Sequence, residues 1–166
     1  MIEIVEAKSQ DFSAVKEIAY KTWPDTYGTI LTKQQLDYML DLFYSEEALR
    51  KNASEKGHLF FLAKDHDLAV AFVSIEHNYQ QQSITRIHKI YILPETQGQG
   101  IGKLLIEKVE FLANEAKSEK LSLNVNRHNA ALFFYKKNGF EIVGEEDIPL
   151  GHGYLMEDYI MEKPLT

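Results

Sequence analysis

The chain has 166 residues, 45% of them apolar, and a net charge of −7. That length suits a single domain over residues 1–166 with a core of its own, and no stretch approaches the ~20 continuous apolar residues of a membrane helix. The acidic balance argues against general nucleic-acid binding, since like charge repels a phosphate backbone, and the lack of cysteine removes disulfide frameworks, thiolate metal sites and a cysteine nucleophile.

Ile2 to Ala7 alternates and is read as a first strand. It is not a signal peptide, because Met1 to Glu6 lacks a basic region followed by an apolar run, so the cytoplasm is the expected compartment. Ser9 is expected to cap a helix carrying Phe12, Val15, Ile18 and Ala19 on one face. That helix is expected to end near Trp23-Pro24, because the residue before proline avoids helical angles. Thr32 opens a second helix with Leu36, Met39, Leu40 and Phe43 on one face. Ser45-Glu46-Glu47 opens a short third one, ending near Gly57.

Three strands follow. His58 to Lys64 and Leu68 to His77 form a hairpin about Asp65-His66-Asp67, and Ile84 to Leu93 is stopped by Pro94. Gly100 to Lys117 is the strongest helix, with Ile101, Leu104, Leu105, Val109, Leu112 and Ala116 in one apolar stripe. Leu121 to Val125 alternates as a strand. Asn129 begins a helix that stops at Asn138-Gly139. Phe140 to Val143 and Tyr154 to Met161 close the chain as two strands. The class is α+β, with a mixed, mostly antiparallel central sheet flanked by helices.

Between Ile92 and Leu104 a strand turns into a helix through Gln97-Gly98-Gln99-Gly100-Ile101-Gly102-Lys103. The first turn of a helix carries backbone N–H groups without partners. Its dipole adds partial positive charge, so the turn is an anion site suited to phosphate. Glycines let the backbone approach the ligand without a Cβ in the way, and Lys103 adds charge. A P-loop would need glycine where Gln97 stands and Ser or Thr where Leu104 stands. A dinucleotide fingerprint would need glycine where Lys103 stands. The pattern Gln/Arg-x-x-Gly-x-Gly/Ala is matched in full by Gln97 to Gly102.

That pattern resembles motif A of the GCN5-related N-acetyltransferases. Asn129 to Phe140 resembles the family's second signature, Asn-x-x-Ala-x-x-x-Tyr-x-x-x-Gly-Phe, at the usual separation, and the specific similarity covers about Ile84 to Val143. The N-terminal third is only loosely similar. The resemblance implies an enzyme that moves an acetyl group from acetyl-CoA to an amine, with no metal. It implies that Tyr91, Ile92 and Leu93 offer backbone groups to the pantetheine arm, and that Gln97, Gly98, Gln99, Gly100, Ile101, Gly102 and Lys103 hold the pyrophosphate. Tyr135 aligns with the acid that protonates the departing CoA thiolate; a buried aromatic in the core is the competing reading.

The second signature departs from the family at one point. The family asparagine lies three residues before the alanine; counted from Ala131 that position is His128, and Asn129 lies two before. Either residue fits a CoA contact, and Asn129 fits a helix cap equally well. His88, on the strand entering the turn, is the candidate general base, against a strand histidine with no role. His58, His66, His77, His128 and His152 show no metal-ligand spacing. Trp23, Tyr27 and Tyr38 in the helical N-terminal region, and Tyr154 near the last hairpin, are candidate walls of an acceptor site able to hold a cation over a ring, or core aromatics.

The expected acceptor is a small-molecule amine, with a polyamine first, from the acidic charge and a loose similarity to spermidine/spermine acetyltransferases. A protein N-terminus or a lysine side chain stays open, as does a non-catalytic acyl-CoA sensor. A homodimer is expected by family analogy alone.

Overall fold

The computed structural model describes all 166 residues. Strand β1 (Ile2–Glu6) leads into a 3-10 turn at Ser9–Asp11 and three helices, α1 (Phe12–Tyr27), α2 (Lys33–Tyr44) and α3 (Glu46–Glu55). Then come β2 (Leu59–Asp65), β3 (Leu68–Glu76), β4 (Ile84–Ile92), α4 (Ile101–Glu115), β5 (Lys120–Asn126), α5 (Ala131–Lys137), β6 (Glu141–Gly151) and β7 (Tyr154–Pro164). All seven strands form one sheet in the order β1-β2-β3-β4-β5-β7-β6, antiparallel except for β4 and β5. The expected mixed, mostly antiparallel sheet flanked by helices is what the chain forms.

Val70 to Ile75 of β3 are all buried, so this strand is covered on both faces. α1 packs on β3 and β4, and α4 packs on β1, β3, β4 and β5. Two of the helix starts read from the sequence prove to carry side-chain caps. Thr32 accepts from the Gln35 amide at 3.1 Å and Ser45 from the Ala48 amide at 3.1 Å.

Three expectations about element boundaries change. Ser9 does not cap α1; it starts the 3-10 turn, where the Asp11 carboxylate accepts from the Lys8 amide at 2.9 Å. α1 does not stop at Trp23-Pro24. It runs on to Tyr27 because Trp23 and Tyr27 are buried against the sheet, and that burial outweighs the amide donor that Pro24 lacks. β6 is far longer than Phe140 to Val143. Register shifts at Ile142/Gly144 and Pro149/Gly151 interrupt its alternation, and an acidic run with a proline reads as loop, yet proline is tolerated on an edge strand.

The feature that positions the site is where the sheet parts. The β4–β5 ladder runs from Ile84↔Lys120 to Ile87↔Leu123 and ends there. At the same level β3 pairs Ser74 with Lys89 and Ile75 with Ile87, leaving His88 as an extra residue in β4. Such a bulge bends its strand. Beyond it β4 stays on β3 as far as Ala71↔Ile92, while β5 stays on β7 as far as Asn126↔Asp158.

Pro24 is exposed and sits inside α1. Pro24→Ala restores a donor for the Tyr20 carbonyl, so the variant is expected to unfold at higher urea, with a gain of about 2 kcal/mol. Equal or lower stability would mean that the helix depends on the proline.

Candidate functional site

The glycine turn has two kinds of glycine. Gly98 and Gly100 hold φ of 83° and 78°, the left-handed region that a side chain disfavours. Gly102 has ordinary helical angles, but a Cβ there would lie 2.8 Å from Phe134 Cζ and 3.1 Å from Ile92 Cδ1. It lets the start of α4 lie against β4 and α5. The Gln97 side chain donates to the Ile92 carbonyl at 3.3 Å, and the Thr96 hydroxyl to the Leu93 carbonyl at 2.9 Å, which tie the turn to the end of β4. The first helical bond of α4 runs from the Leu104 amide to the Gly100 carbonyl. The amides of Ile101, Gly102 and Lys103 therefore point out of the helix end without helical acceptors, and the exposed Lys103 stands among them.

From this turn a cleft of about 1060 Å³ runs through the gap between β4 and β5 to α1 and α2. Gln97, Gly98, Gly100, Ile101, Gly102 and Lys103 line it, and Gln99 does not. On β4, His88, Tyr91 and Ile92 line it. Leu93 does not; it is buried, and its amide donates to the Val70 carbonyl at 2.8 Å. Trp23, Tyr27, Asn129 and Tyr135 also reach the cleft. Tyr154 stays outside, packed on the Tyr38 ring with centroids 5.4 Å apart, and the Tyr38 hydroxyl donates to the Leu150 carbonyl at 2.7 Å.

An aromatic wall closes the side of the cleft nearest α1 and α2. Trp23 packs against Tyr27, Tyr44 and Tyr91. The Tyr27 and Tyr91 hydroxyls are 3.0 Å apart and hydrogen-bonded. Asn129 spends both ends of its amide inside the protein: Oδ1 accepts from the Ala131 amide at 2.9 Å and Nδ2 donates to Tyr27 at 3.4 Å. The bond to Ala131 is cap-like but lies one residue ahead of the α5 cap position at Ala130, and Asn129 also lines the cleft. Burial raises the pKa of Tyr135 above the ordinary phenol value, with Tyr27 adding to it. The Tyr135 phenol is thus protonated at neutral pH.

His88 lies in a cluster that sequence spacing did not reveal. Its Nε2 is 2.9 Å from Glu76 Oε1, and its ring stacks on His58 at 3.9 Å with planes 13° apart. Glu76 Oε1 is also 3.5 Å from His58 Nε2. The three offer ligand atoms within 4.8 Å of one another. Parallel rings send their lone pairs side by side, however, and a shared cation would require both rings to tilt. Burial first, then His58, Lys89, Arg86 and Lys56, lowers the His88 pKa to about 2. Burial, then Lys89 and Lys56, lowers that of His58 to about 4. A neutral His88 donating Nε2–H to Glu76 fits these distances and keeps Nδ1 as an acceptor.

Among the charged residues in the cleft that had no signal in the sequence are Arg86 and Lys89 on β4 and Asp158 on β7. Arg86 donates to Ser122 at 2.8 Å and to Asn124 at 2.6 Å. Lys89 donates to Asn52 at 3.0 Å, and burial, then Lys56, lowers its pKa to about 8. Period-2 alternation on β4 and β7 leaves such residues indistinguishable from solvent-facing ones.

The domain profile described as "Acetyltransferase (GNAT) domain" matches residues 30–154. The spermidine N(1)-acetyltransferase of Thermoplasma acidophilum is 26% identical over 167 residues, covering 98% of this chain and 96% of that protein. The peptidyl-lysine N-acetyltransferase YjaB of Salmonella typhimurium is 31% identical over 121 residues, covering 71% and 75%. The crystal structure of the PaiA N-acetyltransferase from Thermoplasma acidophilum in complex with coenzyme A superposes with a TM-score of 0.82 at 27% identity, covering 99% of both chains.

The histidine cluster makes stability depend on pH. An imidazole whose folded pKa lies below its unfolded value stabilises the fold fully above the unfolded value of about 6.5, and loses that effect as pH falls toward the folded values. Stability is expected to decline from about pH 6.5 to about 4 through His58 and on toward about 2 through His88. Glu76, raised by burial, acts in the opposite sense at lower pH. Urea unfolding at pH 7 and pH 5 reads the decline, and the His58→Gln/His88→Gln double variant should show less of it. Imidazole NMR signals that titrate near 6.5 would contradict the assignment.

Proposed function

Because the chain belongs to the GNAT acetyltransferase family and is an acetyl-CoA-dependent N-acetyltransferase, we propose that the glycine turn and the parted strands are its acetyl-CoA site and that the acceptor is a small amine. The observation that carries this reading is the coincidence of a helix-end anion site with a gap between two strands. The pyrophosphate meets the free amides from Gly98 to Lys103 and the Lys103 ammonium. The pantetheine arm lies along the β4 edge at Tyr91 and Ile92, which has lost its partner strand and offers peptide groups to an amide-bearing chain. Gly102 keeps this passage narrow at Ile92 and Phe134.

At the inner end of the cleft the amine nitrogen attacks the thioester carbonyl. The C–N bond forms, the C–S bond breaks, and the leaving thiolate takes the Tyr135 proton. The raised pKa of that phenol keeps it protonated until a thiolate forms beside it. With no cysteine in the chain, direct transfer in a ternary complex is the simplest course. His88 serves as a hydrogen-bond acceptor that orients the amine or a water through Nδ1; its low proton affinity suits it poorly to holding the proton. Trp23 and Tyr27 form the apolar wall behind the acceptor.

Polyamine is the first choice of acceptor, supported by the spermidine acetyltransferase similar over nearly the whole chain. A peptidyl lysine is the second, supported by the YjaB similarity over a shorter span. Incubation with acetyl-CoA and a panel containing spermidine, lysine peptides, N-terminal peptides and amino acids, followed by free thiol release, separates them. Thiol release independent of any amine would overturn the reading. Tyr135→Phe is expected to lower kcat by about 10²-fold with acetyl-CoA affinity little changed. An unchanged kcat would remove Tyr135 from the chemistry.

A further inference from the structure

We propose that Asp158 receives the acceptor: its carboxylate pairs with the incoming ammonium and takes the proton that must leave before the nitrogen can attack. This deepens the acetyltransferase reading and rests on it. Asp158 lies on β7 at the end of the β5–β7 ladder, opposite Asn126, where the wall of the cleft continues after β4 has turned away. It is 1% exposed, yet it lines the cleft. Its Oδ2 accepts from Asn124 Nδ2 at 3.3 Å, and its Oδ1 has no hydrogen-bond partner.

A buried carboxylate is costly unless a cation or several donors compensate it. The cations that Asp158 feels are committed elsewhere. Arg86 spends Nη1 on Ser122 and Nη2 on Asn124, its Nε is unpartnered, and none of its nitrogens bonds to Asp158; Arg127 pairs with Glu145 and Asp147. Asn124 is itself shared, since its Nδ2 also donates to Glu146 at 3.1 Å. The missing counter-charge at Oδ1 is what an alkylammonium supplies. A hydroxyl acceptor would bring a donor without the charge.

The step balances as follows. The ammonium gives one proton to Asp158 and becomes a free amine. After attack and C–S cleavage the thiolate takes the Tyr135 proton. The second nitrogen proton restores the phenol, and Asp158 releases its proton to water on product exit. Burial first raises the Asp158 pKa, Asn124 and Arg86 lower it, Glu146 raises it and Arg127 lowers it. Tyr27, whose own pKa is raised chiefly by burial, faces it from α1. These are the groups against which the acid limb of a rate profile is to be read.

The test compares wild type with Asp158→Asn, using the amine of the panel that wild type acetylates fastest. Coenzyme A affinity by calorimetry is expected to be unchanged, kcat/KM for the amine to fall at least about 10²-fold, and the acid limb of the pH profile to flatten. Asp158→Asn with kcat/KM within threefold of wild type and the same acid limb overturns the proposal and leaves the acetyltransferase reading standing. A wild type that acetylates no amine overturns both. Should Asp158→Asn fail to fold, the carboxyl carbon-13 signal of Asp158 in the wild-type coenzyme A complex is followed as that same amine is added. A saturable shift supports the proposal, and an unmoved signal overturns it.

Discussion

The arrangement depends on the parting of β4 from β5. The two strands pair over four residues and then separate at the level of the His88 bulge. Sheet pairing ordinarily consumes every backbone donor and acceptor along a strand. Here a half-buried edge is left with peptide groups facing a gap, which water or a ligand with amides of its own can fill. Every other feature of the site is placed by that gap. The glycine turn stands at one end, and the aromatic wall and Asp158 stand further in.

Two polar networks hold the gap open in a fixed shape. On the β4 side, Tyr27 joins Tyr91 and Asn129, which binds α1 to the start of α5 and fixes the neighbourhood of Tyr135. On the β5 side, Asn124 links Arg86 to Asp158 and Glu146. Buried polar groups joined in this way are costly to leave half-satisfied, so they specify one geometry more strongly than apolar packing would. The same low-dielectric setting changes the chemistry of the side chains. Burial drives Tyr135, Tyr91 and Asp158 toward their protonated forms and His88 toward its neutral form. The inner cleft thus favours neutral groups over charged ones.

Electrostatics at two scales point in different directions. The chain as a whole carries −7, a field that draws cations from a distance. Within the cleft, Lys103 and Lys137, together with Arg86 and Lys89, outnumber Asp25 and Asp158. The lining near the turn is cationic, and the buried carboxylate of the cleft is Asp158. Net charge alone could not have located that difference, because it sums over a surface that the ligand does not touch.

The residues alone determined the element order, the helix starts at Thr32 and Ser45, the α+β class and the place of the glycine turn between β4 and α4. These are local: hydrophobic period, capping chemistry and backbone freedom act over a few residues and leave their mark in the string. The string also offered Tyr135 as a candidate, through a signature that spans a single helix, and the fold puts it on the cleft wall. It misjudged α1 at Pro24 and the length of β6, because burial of Trp23 and Tyr27 and pairing along β7 come from distant parts of the chain. The stacking of His58 on His88 joins the start of β2 to a bulge in β4. Asp158 meets Asn124 only because β7 inserts beside β5. Which side chains share the cleft, and which of them lose water, was decided by strand order and the β4–β5 gap, since desolvation is a property of the assembled fold and not of any segment.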